Sequence, residues 1–166
     1  MSHLYIREFE AQDAGAFRAL NEAWITKYFT LEEPDRQVLD NPVGEILEHG
    51  GKILMAFADG VPVGCCALIP LSPGVFEVAK MAVAEQLRGQ GIGKKLMART
   101  IECAKQLGAT ALELGSNRKL LSAIRLYESF GFRHTPPEKV PPSPYERADV
   151  HMDLDLSEAV TAAGPH

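Results

Sequence analysis

The chain has 166 residues, 46% of them hydrophobic, and a formal net charge of −5, which suits one domain with a real core. The charge argues against a general nucleic-acid binder, which carries a basic stripe. No stretch approaches the ~20 apolar residues of a membrane span, the N-terminal MSHLYIREFE lacks an apolar signal-peptide core, and Cys65, Cys66 and Cys103 fit no zinc spacing, so a soluble, cytoplasmic, metal-free protein with buried free thiols is expected.

In chain order, Tyr5–Phe9 alternates as a short first strand. Ala11–Tyr28 reads as a helix, because Ala16, Leu20, Ala23 and Lys27, with Phe17, Trp24 and Tyr28, recur at spacings of three and four. Asn41-Pro42 is a helix entry, with an Asn cap before a Pro whose fixed φ suits the first turn. Gly50-Gly51 ends that short helix. Three strands are predicted next: Lys52–Ala58, Val63–Pro70 and Val75–Ala84. Asp59-Gly60 and Ser72-Pro73-Gly74 join them as antiparallel neighbours.

The stretch RGQGIG at 88–93 then opens a helix whose apolar stripe is Ile92, Leu96, Met97, Ile101, Ala104 and Leu107. Gly108 stops it. Ala109–Leu114 is a strand, Lys119–Phe130 a helix stopped by Gly131, and Phe132–His134 the start of another strand. Five prolines at 136, 137, 141, 142 and 144 mark a surface loop, because Ala148–Leu156 alternates again as a last strand. Residues 1–156 are read as a single domain and 157–166 as a frayed tail. The order implies an α+β (mixed α/β) domain on one sheet.

A strand running through a glycine turn into a helix is an anion site, since the first helical N–H groups have no internal partner and carry the positive dipole end. Gly91 and Gly93 allow close backbone approach. The turn is neither a P-loop nor a GxGxxG fingerprint, and by itself it reads equally as a packing turn.

The segment MAVAEQLRGQGIGKKLM resembles motif A of the GNAT superfamily of acetyl-CoA-dependent N-acyltransferases, Q/R-x-x-G-x-G/A, filled here by Arg88, Gly91 and Gly93. AIRLYESFGF at 123–132 resembles its motif B. The resemblance spans residues 4–156. It implies a central, mostly antiparallel, twisted sheet of about six or seven strands with helices on both faces, splayed at the cofactor. It further implies acetyl-CoA as cofactor. The turn Arg88, Gly89, Gln90, Gly91, Ile92, Gly93 and Lys94 would hold the pyrophosphate, and Met81, Ala82 and Val83 the pantetheine arm. Lys94, Lys95 or Lys119 could meet the 3′-phosphate or simply be solvated. The family's motif B begins with Asn three residues before the Ala. Here Leu120 stands there, and Asn117, six residues back, is the nearest substitute.

Tyr127 matches the family tyrosine near the CoA sulfur, a general acid, or else packs with Ala123, Ile124 and Phe130. Glu77 is the base candidate, the only carboxylate in VFEVAKMAV. It reads alternatively as the partner of Lys80 or as an exposed edge residue. Without a bulge, Glu77, Ala79 and Met81 would share one face. Acceptor contacts are expected from Glu22, Trp24, Tyr28, Tyr145 and Arg147, where Arg147 could clamp a carboxylate or form a surface pair. His134 and His151 are read as structural. The leading function is acetyl transfer to the primary amine of a small molecule or amino acid. The alternatives are a protein lysine or N-terminal acetyltransferase and a non-catalytic acyl-CoA sensor. Homodimers are common in the family, and no nucleic-acid or membrane partner is expected.

Overall fold

The computed structural model describes residues 3–157 apart from Arg88, so Arg88 and the tail beyond Ser157 lie outside the described residues. Seven strands form one sheet in the order β1-β2-β3-β4-β5-β7-β6. They are β1 (Leu4–Glu8), β2 (Lys52–Ala58), β3 (Val61–Ser72), β4 (Val75–Val83), β5 (Ala111–Ser116), β6 (Arg133–His134) and β7 (Val150–Asp155). All neighbours are antiparallel except β4 and β5. The helices are α1 (Ala14–Tyr28), α2 (Glu33–Asp40), α3 (Pro42–Glu45), α4 (Ile92–Gln106) and α5 (Leu121–Ser129).

The sheet is covered on both faces. On one, Leu54, Cys66, Leu68, Phe76 and Val78 pack against Ile92, Leu96 and Met97 of α4 and Ile124 of α5. On the other, Ile53, Met55, Cys65 and Ala67 pack against Phe17 of α1 and Leu39 of α2. Each fully buried side chain of this size contributes about 1.5–3 kcal/mol relative to exposure, so these two layers fix the sheet as a rigid platform.

Asn41 caps α3 by accepting the Gly44 N–H at 3.1 Å, as its sequence predicts. Helix α2 is not visible in apolar spacing, because Val38 and Leu39 are its only large apolar residues. Its start is written in polar chemistry instead: Pro34 lies in the first turn, and the Asp35 carboxylate accepts the Glu32 N–H at 2.9 Å.

A bulge interrupts β4. Cys65 pairs with Ala82 and Ala67 with Ala79, so two residues, Lys80 and Met81, oppose the single Cys66. Lys80 takes a left-handed φ of 52°. The extra residue reverses the alternation. Met81 and Val83 therefore pack on the α4 side with Phe76 and Val78, while Ala82 packs on the α1 side. Glu77 and Met81 do not share a face, contrary to the bulge-free reading.

Candidate active site

β4 and β5 pair in parallel over only three positions, Val75 with Ala111, Phe76 with Leu112 and Glu77 with Glu113. Beyond Glu77 the strands part: β5, paired with β7 along its whole length, stays with β7 through Ser116, while β4 stays with β3 through Val83. The edge of β4 from Val78 onward is thus unpaired on the β5 side, and unpaired strand edges accept extended amide-bearing ligands. A cavity of about 900 Å³ fills the fork. Met81, Ala82, Val83, Gly89, Gly91, Ile92, Gly93 and Lys94 line one side, and Leu126 and Tyr127 of α5 another.

The glycine turn takes a backbone that glycine permits at Gly89 and Gly91, while Gly93 lies within α4. Gly89 and Gly91 have φ of 85° and 81°, the left-handed region that favours glycine. Gly91 is the N-cap of α4, and the first bond within the helix runs from the Lys95 N–H to the Gly91 carbonyl. The N–H groups of Ile92, Gly93 and Lys94 therefore have no carbonyl one turn back. A Cβ on Gly89 or Gly91 would meet no protein atom within 4 Å, so the turn lies open for an anion to approach. Together, the open turn and the free strand edge fit a pyrophosphate joined to an amide-bearing arm. Gln90 is exposed and does not line the cavity.

Glu77 stands at the fork. Its carboxylate makes no hydrogen bond or ion pair among the described residues, and burial pushes its pKa above the usual carboxylate range, with Glu113 adding to the rise and Lys80 opposing it. The alternative pair with Lys80 does not form, because Lys80 Nζ donates to Asp35 at 2.8 Å and to the Tyr145 hydroxyl at 2.9 Å. Tyr127 packs against Phe132 and lines the cavity. Burial, then the neighbouring Cys66, raise its phenol above the ordinary value. Its hydroxyl has no hydrogen-bond partner among the described residues.

The remaining expected residues divide. Trp24, Tyr28, Tyr145 and Arg147 line the same cavity. Glu22 does not line it and is ion-paired with Arg18 along α1. Arg147 is neither a free clamp nor a surface residue, since its guanidinium grips Asp35 with two bonds at 2.6 and 2.7 Å. Asn117 lines the cavity, but its side chain is engaged within the protein. It accepts the Lys119 N–H at 2.8 Å and donates to the Arg147 carbonyl at 2.7 Å. Lys94 and Lys119 line the cavity and Lys95 does not. His134 pairs with Glu128. His151 lines a second hollow of about 920 Å³ beneath the proline loop, which meets the first at Glu77, Gly115 and Ser143. Among the described residues no cluster is arranged to hold a metal, and no helix is long and apolar enough to cross a membrane.

The family model described as the acetyltransferase (GNAT) family matches residues 10–132. The chain belongs to the GNAT family. An uncharacterized N-acetyltransferase of Schizosaccharomyces pombe is 31% identical over 152 residues, 89% of this chain and 91% of that protein. The crystal structure of a GNAT-family acetyltransferase from Staphylococcus aureus Mu50 superposes with a TM-score of 0.85 at 23% identity, covering 93% of this chain and 99% of that one. YncA from Salmonella typhimurium, described with its cofactor acetyl-CoA, gives 0.75 at 24% identity over 93% and 95% of the two chains. This GNAT protein is an acetyl-CoA-dependent N-acetyltransferase.

Proposed function

We propose that this acetyltransferase acylates the primary amine of a small molecule by direct attack, with Glu77 as general base and Tyr127 as proton donor. The reading is carried by one observation: a largely desolvated carboxylate with no hydrogen-bond or ion-pair partner among the described residues stands at the last paired position before β4 and β5 part. When bound, acetyl-CoA supplies an activated thioester carbonyl.

The chain's own groups would divide the work as follows. Ile92, Gly93 and Lys94 offer N–H groups to the pyrophosphate at the positive end of α4. The free edge at Met81–Val83 offers main-chain bonds to the pantetheine amides, and Lys94 and Lys119 sit within the same cavity for phosphate. Asn117 shapes the β5–α5 turn from which α5 starts. An amine of pKa near 10 is neutral in only about one molecule in a thousand at pH 7, so attack needs proton removal. Glu77 suits that task because burial makes it a stronger base than a surface carboxylate.

Tyr127 holds its proton at neutral pH. Its phenol is raised above 10 while an ordinary thiol sits near 8.5, so full transfer to a thiolate is uphill by roughly 2 kcal/mol or more. Its contribution is therefore a hydrogen bond that strengthens as charge grows on sulfur.

The acceptor end supports a small amine. Residues 143–148 cross it, tied to Glu32, Asp35 and Lys80, which leaves little room for an extended peptide. The guanidinium of Arg147 is already engaged, which disfavours an amino-acid carboxylate at that point. The test is acetyl-CoA consumption with n-butylamine, 1,4-diaminobutane, L-aspartate and a lysine-bearing peptide. Fastest turnover of a small amine is expected. Turnover of the peptide alone would overturn the acceptor class, and stabilisation by CoA without turnover of any amine would favour a sensor.

A further inference from the structure

Asp35 is a buried charge that the chemistry above does not use. Its side chain is 0% exposed, and those of its partners Lys80 and Arg147 are 6% and 14% exposed. Its two oxygens accept four hydrogen bonds. Oδ1 accepts from Lys80 Nζ at 2.8 Å and from Arg147 at 2.7 Å; Oδ2 accepts from Arg147 at 2.6 Å and from the Glu32 N–H at 2.9 Å. Burial opposes its charge, but these bonds outweigh it and keep the carboxylate ionised down to about pH 2.

The cluster joins three distant pieces of chain: α2, the bulge of β4 and the loop that closes the acceptor end. Lys80 is the bulge residue itself. Tyr145 lays its ring 4.5 Å from Lys80 Nζ and 4.6 Å from the Arg147 guanidinium. Glu32 fastens the same loop by accepting the Glu146 N–H at 2.9 Å. Both cations line the cavity that also holds Glu77. A carboxylate on an acceptor would find there the fork geometry it binds best, except that Asp35 already fills it.

We infer that Asp35 is a positioning and specificity-determining residue, an internal carboxylate that fastens the acceptor loop to the β4 bulge and denies Arg147 and Lys80 to acceptors bearing a carboxylate. The inference rests on the reading of this cavity as the acceptor site. The acceptor class that follows is a primary amine with an apolar or cationic body, facing Trp24, Tyr145 and the free carboxylate of Glu77.

The test compares kcat/KM for L-aspartate and n-butylamine in the wild type and in Asp35→Asn, with CoA affinity and thermal melting as controls. In Asp35→Asn the ratio of L-aspartate to n-butylamine should rise at least 10-fold, with CoA affinity unchanged. Equal loss for both amines, or an unchanged ratio, would overturn the inference and leave Asp35 as a packing charge. Because Asp35→Asn removes the charge that pairs Lys80 and leaves Arg147 only Glu32, it endangers the fold, and a second measurement uses the wild type alone. Succinate should not compete with n-butylamine, and competitive inhibition by succinate would overturn the inference. Wild-type enzyme that turned over neither amine would overturn the acceptor-site reading itself, and the inference with it.

Discussion

Replacing Gly91 by alanine separates the cost of the turn's backbone from its service to a ligand. Gly91 has φ of 81°, and a Cβ there would touch no protein atom within 4 Å, so the folded state suffers through its dihedral alone. Holding an L-residue in the left-handed region costs about 1–2 kcal/mol. For a chain of this size that lowers Tm by roughly 2–8 °C. Gly108, at the far end of α4, is a matched control, with φ of 83° and equally open surroundings, away from the cavity. Both alanine variants should melt lower by similar amounts. Only Gly91→Ala should weaken CoA, because its methyl group would stand beside the open first amides of α4, where the pyrophosphate is proposed to rest. Losing one charge-assisted hydrogen bond costs ~1.5–3 kcal/mol, or roughly 10- to 150-fold in Kd. Isothermal titration with CoA reads the difference. Wild-type affinity in a folded Gly91→Ala, or equal loss in both variants, would refute the pyrophosphate assignment.

Two further predictions concern single ionisable groups. Tyr127→Phe should keep CoA affinity and lower kcat by about 10- to 100-fold, the worth of one hydrogen bond to a charged atom; unchanged single-turnover rates would make Tyr127 a packing residue. Asp35 carries a pKa of about 2, below its ordinary 3.8, so the stability it contributes is complete above about pH 4 and is lost as pH falls through about 2. That loss is roughly 2.5 kcal/mol at most, and Asp13, also lowered, adds in the same direction. Urea-unfolding free energies at pH 5 and pH 2.5 measure it, and equal values would contradict the assignment.

What was legible in the sequence follows from what is local. The glycine turn announces itself because φ near 80° at Gly89 and Gly91 admits few other residues. The Asn41 cap and the hairpins depend on neighbours within a few positions. The fork does not, since it lies where β5, still paired with β7, parts from β4 after Glu113, and strand pairing joins positions far apart in the chain. Asp35 was invisible for the same reason: its partners lie 45 and 112 positions away, and α2 lacks the apolar stripe that betrays a helix. The bulge at Lys80 was equally hidden, because Lys at a left-handed φ carries no sequence mark. Arg147 lines the cavity, but its sequence position does not reveal that Asp35, 112 positions away, holds its guanidinium.

The most direct test of Glu77 as the base is the pH–rate profile of Glu77→Gln beside that of the wild type, with the same amine and saturating acetyl-CoA. In the wild type, kcat/KM should rise with pH through a group titrating above the usual carboxylate range, because burial raises Glu77. The variant keeps the shape of the side chain but cannot accept a proton. Its rate near pH 7 should fall by ~10²–10⁴-fold and recover in part at high pH, as free amine becomes available, while CoA affinity stays unchanged. A Glu77→Gln enzyme with the wild-type rate and profile would contradict the assignment.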